Sequence, residues 1–300
     1  MDKYSIRATV GKVAFWDTFF IKNKNGKIRP SIRFYRYFTM TLAHVLFILS
    51  FKMDIQILEG NISASRIFGL HLADIFTTIE IFLVSHKLPI NLAIGSFTIL
   101  IFYALFGGRA FCSWVCPYNF LGEIGERLNA VLIKKRIIKK RELKPWFRYF
   151  FLVLFIIMTF ISGYLIFEIF NIVGIFSRFL IYGYSAAFSF VVIVFLVEVF
   201  FSRRMWCKCI CPVGTTYEIF CGHTNAFKIF WNKKTCDDCG VCIDVCIVPH
   251  VLKITKKKGK DNIEKDIFMV NGADCTLCGR CVDVCHQDSL KFENRLKNIL

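Results

Sequence analysis

Cys236-Asp237-Asp238-Cys239-Gly240-Val241-Cys242-Ile243-Asp244-Val245-Cys246 is repeated, with the same spacing, as Cys275-Thr276-Leu277-Cys278-Gly279-Arg280-Cys281-Val282-Asp283-Val284-Cys285. In each copy three cysteines stand two residues apart and a fourth follows after three. A tight loop of that spacing curls three thiolates round one point, and the fourth opens a helix turned toward the other copy. The pattern predicts two 4Fe–4S cubanes held crosswise. Cys236, Cys239, Cys242 and Cys285 hold one, and Cys275, Cys278, Cys281 and Cys246 hold the other. Zinc also binds paired C-x2-C units, but it requires neither the third cysteine nor the fourth, twice over.

These cysteines predict a small α+β module of the bacterial two-cluster ferredoxin type over residues 221–300. The proline that follows the fourth cysteine in such ferredoxins is replaced by Ile247 and His286, with Pro249 two residues beyond the first. The lysine-rich stretch from Lys253 to Lys265, between the copies, reads as a solvated hairpin.

Upstream the chain changes character. Hydrophobic residues make up 55%, 34 residues are Phe, and mean hydropathy is +0.51, which favours a membrane class. Apolar stretches at about 34–51, 89–106, 147–167 and 184–201 read as four transmembrane helices in two tandem hairpins. The expected organisation is a cytoplasmic segment 1–33, a membrane domain 34–220 and the cytoplasmic module 221–300. The first thirty residues are basic and lack the apolar core of a signal peptide. The 134–148 loop carries Lys134, Lys135, Arg136, Lys139, Lys140, Arg141, Lys144 and Arg148, which predicts a multi-pass protein of the bacterial inner membrane with both termini cytoplasmic. The net charge of +17 is divided into blocks by apolar segments, so it does not form a nucleic-acid-binding face.

All fourteen cysteines lie after residue 111, too close in sequence to suit an extracellular disulfide framework. Four of them form an internal repeat. Gly108-Arg109-Ala110-Phe111-Cys112-Ser113-Trp114-Val115-Cys116-Pro117 aligns with Arg203-Arg204-Met205-Trp206-Cys207-Lys208-Cys209-Ile210-Cys211-Pro212, and Glu123 aligns with Glu218. In each C-x3-C-P motif the three-residue gap puts both sulfurs on one helical face, and the proline then redirects the chain. Cys112, Cys116, Cys207 and Cys211 could ligate a further cluster or a copper ion, or exchange as a redox disulfide. Cys209 and Cys221 read as structural.

The 61–86 segment is apolar but interrupted by His71, Asp74, Glu80 and His86, so it is expected as an interfacial or re-entrant piece. Those four are candidates for the proton acceptors a quinol site needs, the bland reading being the polar face of an interfacial helix. His44 and Glu198 are weaker cases of the same kind.

Phe111-Cys112-Ser113-Trp114-Val115-Cys116-Pro117, Trp206-Cys207 through Cys211-Pro212-Val213-Gly214, and Cys275-Thr276-Leu277-Cys278-Gly279-Arg280-Cys281 together resemble the NapH/MauN family of ferredoxin-type membrane proteins. The resemblance implies a quinol dehydrogenase component. Electrons would pass from the quinol pool toward a periplasmic reductase system for nitrate or nitrous oxide, or a methylamine oxidation system, often through an exported ferredoxin-like or cytochrome partner. The additional Cys209 departs from the usual motif. Two competing expectations are a copper-reducing, metal-handling assembly factor and a non-enzymatic anchor for a partner reductase.

Overall fold

The computed structural model describes residues 19–22, 28–53, 58–67, 69–139, 141, 143–256, 267–270 and 272–295. Much of the expected 1–33 segment and most of the lysine-rich stretch 253–265 lie outside them.

The chain opens with a hairpin of β1 (Phe20–Lys22) and β2 (Ile28–Pro30), followed by α1 (Ile32–Lys52). Ser31 caps α1, its hydroxyl accepting from Phe34 N. A three-stranded meander comes next: β3 (Leu58–Gly60), β4 (Ala64–Ile67) and β5 (Leu70–Ala73). Helices α2 (Ile75–Ser85), α3 (Ile90–Phe106), α4 (Ala110–Trp114), α5 (Tyr118–Lys134) and α6 (Phe147–Ser162) follow. Then come α7 (Ile166–Phe170), α8 (Ile172–Tyr182), α9 (Phe188–Phe200), a π-helical turn at Trp206–Ile210, and α10 (Pro212–Cys221). The cysteine-rich tail holds β6 (Phe227–Asn232), α11 (Val241–Asp244), a 3-10 turn (Pro249–Lys256), β7 (Ile267–Met269), α12 (Arg280–Asp283) and β8 (Leu290–Asn294). Strand β6 is central, pairing antiparallel with both β7 and β8.

The four-span reading is corrected here. Among the described residues only α1, with 21 residues, is long and apolar enough to cross a membrane. The stretch at 89–106 yields 17 helical residues, entered from Pro89 and left at Gly107. The stretch at 147–167 stops after 16, where Gly163 turns left-handed (φ 68°), and that at 184–201 yields 13. A count of apolar side chains does not register where proline and glycine end the backbone pattern. The segment 61–86 is likewise two strands and the 11-residue α2. The architecture is mainly helical, with one span-length helix in place of two tandem hairpins.

The helical core is built on buried Phe76, Phe167, Ile172, Val191, Trp206 and Tyr217. The outer faces are apolar too. Phe38, Leu42 and Leu46 on α1, Phe97 and Ile101 on α3, Phe160 and Ile161 on α6, and Ile193 and Phe200 on α9 are exposed. Water-facing surfaces rarely carry so much contiguous apolar area.

Candidate metal centre

Two cavities in the tail gather the eight cysteines. One is lined by Cys236, Cys239, Cys242 and Cys285, with Trp231, Thr255 and Leu290. The other is lined by Cys246, Cys275, Cys278 and Cys281, with Ile229, Leu252 and Val270. Each loop bends through two left-handed residues, Asp238 (φ 56°) and Gly240 (φ 74°) in one, Leu277 (φ 49°) and Gly279 (φ 71°) in the other. Such turns aim backbone N–H groups inward. Val248 N donates to Cys246 Sγ at 3.4 Å and Ser289 N to Cys285 Sγ at 3.3 Å. Backbone N–H groups of Val241 and Leu277 serve Cys239 and Cys275.

Burial pushes the thiols of Cys242 and Cys275 up, to about 11 and about 12, and those of Cys246 and Cys281 up as well. Bare thiolates would be costly there, whereas a cationic metal core offsets that cost, and the N–H groups already favour sulfur carrying negative charge. The donor set therefore fits a cubane at each site. When bound, a 4Fe–4S centre supplies one-electron redox chemistry.

The two sites differ in surroundings. Cys239 is exposed, whereas Cys278 and Cys281 are buried against the helical part. The inward site is bolted there by several contacts. Asp283 accepts from Ile32 N (3.1 Å) and Arg33 N (3.3 Å) at the head of α1. Asp274 accepts from Arg148 Nη2 at 2.9 Å and from His250 Nε2 at 2.7 Å. Arg280, between Cys278 and Cys281, meets Glu126 at 2.8 Å and Glu123 at 3.1 Å. Gly279 is obligatory twice over: its φ is positive, and a Cβ would come within 2.4 Å of Ile32.

The repeat seen in the sequence becomes a pseudo-symmetric pair of charge clusters. Glu123 takes Arg36 (2.9 Å) and the Tyr37 hydroxyl (2.7 Å) from α1. Glu218 takes Arg148 (2.5 Å) and the Tyr149 hydroxyl (2.8 Å) from α6. Each also meets the arginine of the opposite copy, Glu123 with Arg204 (3.8 Å) and Glu218 with Arg109 (3.6 Å). The sequence reading aligned Glu123 with Glu218 and Arg109 with Arg204 but assigned them no partners. Nor does the sequence assign partners to Arg36, Arg148 and Arg280, because a buried arginine looks like any other basic residue until its carboxylate is located.

Between these clusters lie the C-x3-C-P cysteines. Burial raises Cys116, Cys207 and Cys211, the last to about 12, and neighbouring thiols of the quartet add to it, with Glu198 adding more than they do at Cys207. Cys116 and Cys211 stand where α5 and α10 begin. Tyr118 and Asn119 N–H groups point at the first sulfur, Val213 and Gly214 at the second. A helix N-terminus aimed at sulfur favours thiolate. Cys209 and Cys221 are buried, and the Cys221 thiol donates to Leu100 O at 3.6 Å.

The family model described as "4Fe-4S binding domain" matches residues 89–140 and 183–228, and the "4Fe-4S dicluster domain" model matches 235–289. The methylamine utilization ferredoxin-type protein MauN of Methylorubrum extorquens is 31% identical over 220 residues, 72% of this chain and 75% of that protein. MauN of Methylobacillus flagellatus is 32% identical, covering 76% and 81%. The ferredoxin-type protein NapH of Haemophilus influenzae is 30% identical over 264 residues, 87% of this chain and 89% of that protein. The chain belongs to the NapH/MauN family of ferredoxin-type proteins. No solved structure matches it. As a NapH/MauN-family chain with 4Fe–4S domains, it is an iron–sulfur electron-transfer protein.

The four ionisable candidates fare differently in this NapH/MauN-family fold. His71 and His86 are exposed, and Asp74 caps α2 by accepting from Thr77 N at 2.9 Å. Glu80 is fully buried. Its Oε1 accepts from Thr159 Oγ1 (2.7 Å) and Phe167 N (3.0 Å), and its Oε2 has no partner among the described residues. His44 and Glu198 are buried as well, Glu198 accepting from the Tyr118 hydroxyl and Trp206 N.

Proposed function

We propose that this chain is a membrane-associated quinol dehydrogenase component. In this reading its helical part lies in lipid, and it passes electrons from the quinol pool toward a periplasmic reductase system of the nitrate or nitrous oxide type. The observation that carries the reading is spatial. Cys112, Cys116, Cys207 and Cys211 pack into the core of helices whose outer faces are apolar, and Trp114, between Cys112 and Cys116, donates to Leu277 O in the inward four-cysteine loop. Oxidising one quinol yields two electrons and two protons, and two one-electron sites in the tail match the electron count. Because Asp283 caps the head of α1, the tail and the basic N-terminal end of that helix share one side, the cytoplasmic side by charge.

The ferredoxin-type names of its relatives support the electron-carrier part of the reading. The deciding experiment is anaerobic purification with iron, copper and sulfide analysis, then EPR during titration with a quinol. Reduction of two cubanes by quinol is expected, with an exported ferredoxin-like or cytochrome protein as the next carrier. Serine at both Cys112 and Cys207 should block quinol-driven reduction and leave dithionite reduction intact. Copper bound at the quartet, with clusters silent to quinol, is the result expected of a metal-handling factor.

Glu80 is the proton-acceptor candidate whose buried carboxylate has an oxygen with no partner among the described residues. Glu80→Gln should slow quinol-driven reduction by roughly 10², the usual scale for a lost general base. Dithionite reduction, followed by the same EPR signal, should be unchanged.

A further inference from the structure

The two C-x3-C-P turns are alike in sequence but face different neighbours. They diverge most in chemistry at their midpoint, where Trp114 in the first copy corresponds to Cys209 in the second. The Trp114 indole N–H donates to Leu277 O at 3.1 Å, and Leu277 directly precedes Cys278. A parallel tie runs beside it. Arg36 donates through Nε to Ser113 O (3.1 Å) and through Nη1 to Cys278 O (3.3 Å). The turn at 113–114 and the peptide at 277–278 are thus held together by two hydrogen-bonded routes, one through an aromatic ring. Leu277 is itself buried, its Cδ1 lying where a Cβ on Gly107 would come within 2.2 Å of it. The second turn instead packs against α6, with Cys209 buried there and near Arg148.

We propose that Trp114 is the positioning residue through which electrons cross between the C-x3-C-P quartet and the inward four-cysteine site. The repeat is therefore functionally one-sided: the first turn hands electrons over and the second only completes the quartet. The inference rests on the quinol-linked reading above. Each crossing moves one electron, taken from a quinol that loses two electrons and two protons overall. It is delivered to the site of Cys246, Cys275, Cys278 and Cys281, and no covalent bond forms or breaks.

The test uses the full chain, purified anaerobically, with Trp114→Phe, Trp114→Leu and Cys209→Ala. Trp114→Phe keeps an aromatic ring and removes only the donor, so it guards against a misfolded Trp114→Leu. Both Trp114 variants should retain wild-type iron and sulfide and normal dithionite reduction. Their quinol-driven reduction should slow by about tenfold or more, the scale on which small misplacements of reacting groups are felt. Cys209→Ala should match the wild type. After dithionite reduction, electron–nuclear double resonance should show an exchangeable proton beside the inward site that Trp114→Phe lacks. Wild-type quinol rates in both Trp114 variants, or an unchanged proton signal, would overturn the proposal. A wild-type chain that quinol cannot reduce would instead defeat the functional reading, and the proton signal then decides the contact alone.

Discussion

Replacing Glu123 by glutamine should loosen the cysteine-rich tail from the helical part and cost on the order of 3–5 kcal/mol, the usual penalty for stranding buried charges. Glu123 is 1% exposed. Its Oε2 meets Arg33 at 2.5 Å and the Tyr37 hydroxyl, and its Oε1 meets Arg36, Arg280 and Arg204. Burial pushes this carboxyl upward, but Arg280, Arg36, Arg33 and Arg204 more than reverse it and hold it well below the usual range. Glutamine keeps the shape, leaves Arg280 and Arg204 leaning on Glu126, and removes the carboxylate that Arg33 and Arg36 share. Denaturant unfolding, and hydrogen exchange at residues 274–285, measure the effect. A control lies at the surface, where Glu59 meets Arg66 at 4.0 Å with both side chains about half exposed. Glu59→Gln should change stability by less than about 0.5 kcal/mol. Equal stability for wild type and Glu123→Gln would show that the ion cluster does not hold the tail.

The same cluster sets an acid limit. Against burial, arginines hold Glu126 near about 2, and His250 and Arg148 do the same for Asp274. Folded values below the unfolded ones mean stability that is complete above the unfolded carboxylate range. It is lost as pH falls through that range toward 2. Docking should therefore hold down to about pH 4 and fail below it.

How much of this was legible in the sequence follows from the range of each signal. The tail cysteines are a short-range pattern, and spacing alone showed which residues form the two loops. The C-x3-C-P repeat was legible for the same reason, including the alignment of Glu123 with Glu218. Helix lengths were not, since apolar Phe, Ile and Leu run on past Gly163 while the helix stops there. The basic residues misled in a different way. Arg33, Arg36 and Arg204 stand in the sequence only as members of basic blocks or of the repeat, yet all three are buried in ion pairs. Their carboxylates lie 78 or more positions away in the chain or across the repeat, and no local pattern announces them. His71, Asp74, Glu80 and His86 are separated by the fold, since β5 and α2 turn two of them outward and two into the core.

Exchanging single tail cysteines for alanine should give two opposite results that chain proximity would not suggest. Cys246 follows Cys242 by four residues, yet it lies in the cavity of Cys275, Cys278 and Cys281, and Cys285 lies with Cys236, Cys239 and Cys242. Cys246→Ala should remove about half the iron and acid-labile sulfide, and the centre lost should be the buried one. Cys285→Ala should remove a similar share from the exposed centre. The consequences differ because only the inward loop carries Asp274, Arg280 and Asp283, which fasten the tail to α1, α5 and α6. Cys246→Ala should therefore also raise hydrogen exchange at the head of α1 and abolish quinol-driven reduction. Cys285→Ala should leave α1 protected and the remaining centre reducible by quinol. If Cys246→Ala instead spared the buried centre, each loop would be binding its own four cysteines and the crosswise arrangement would be wrong.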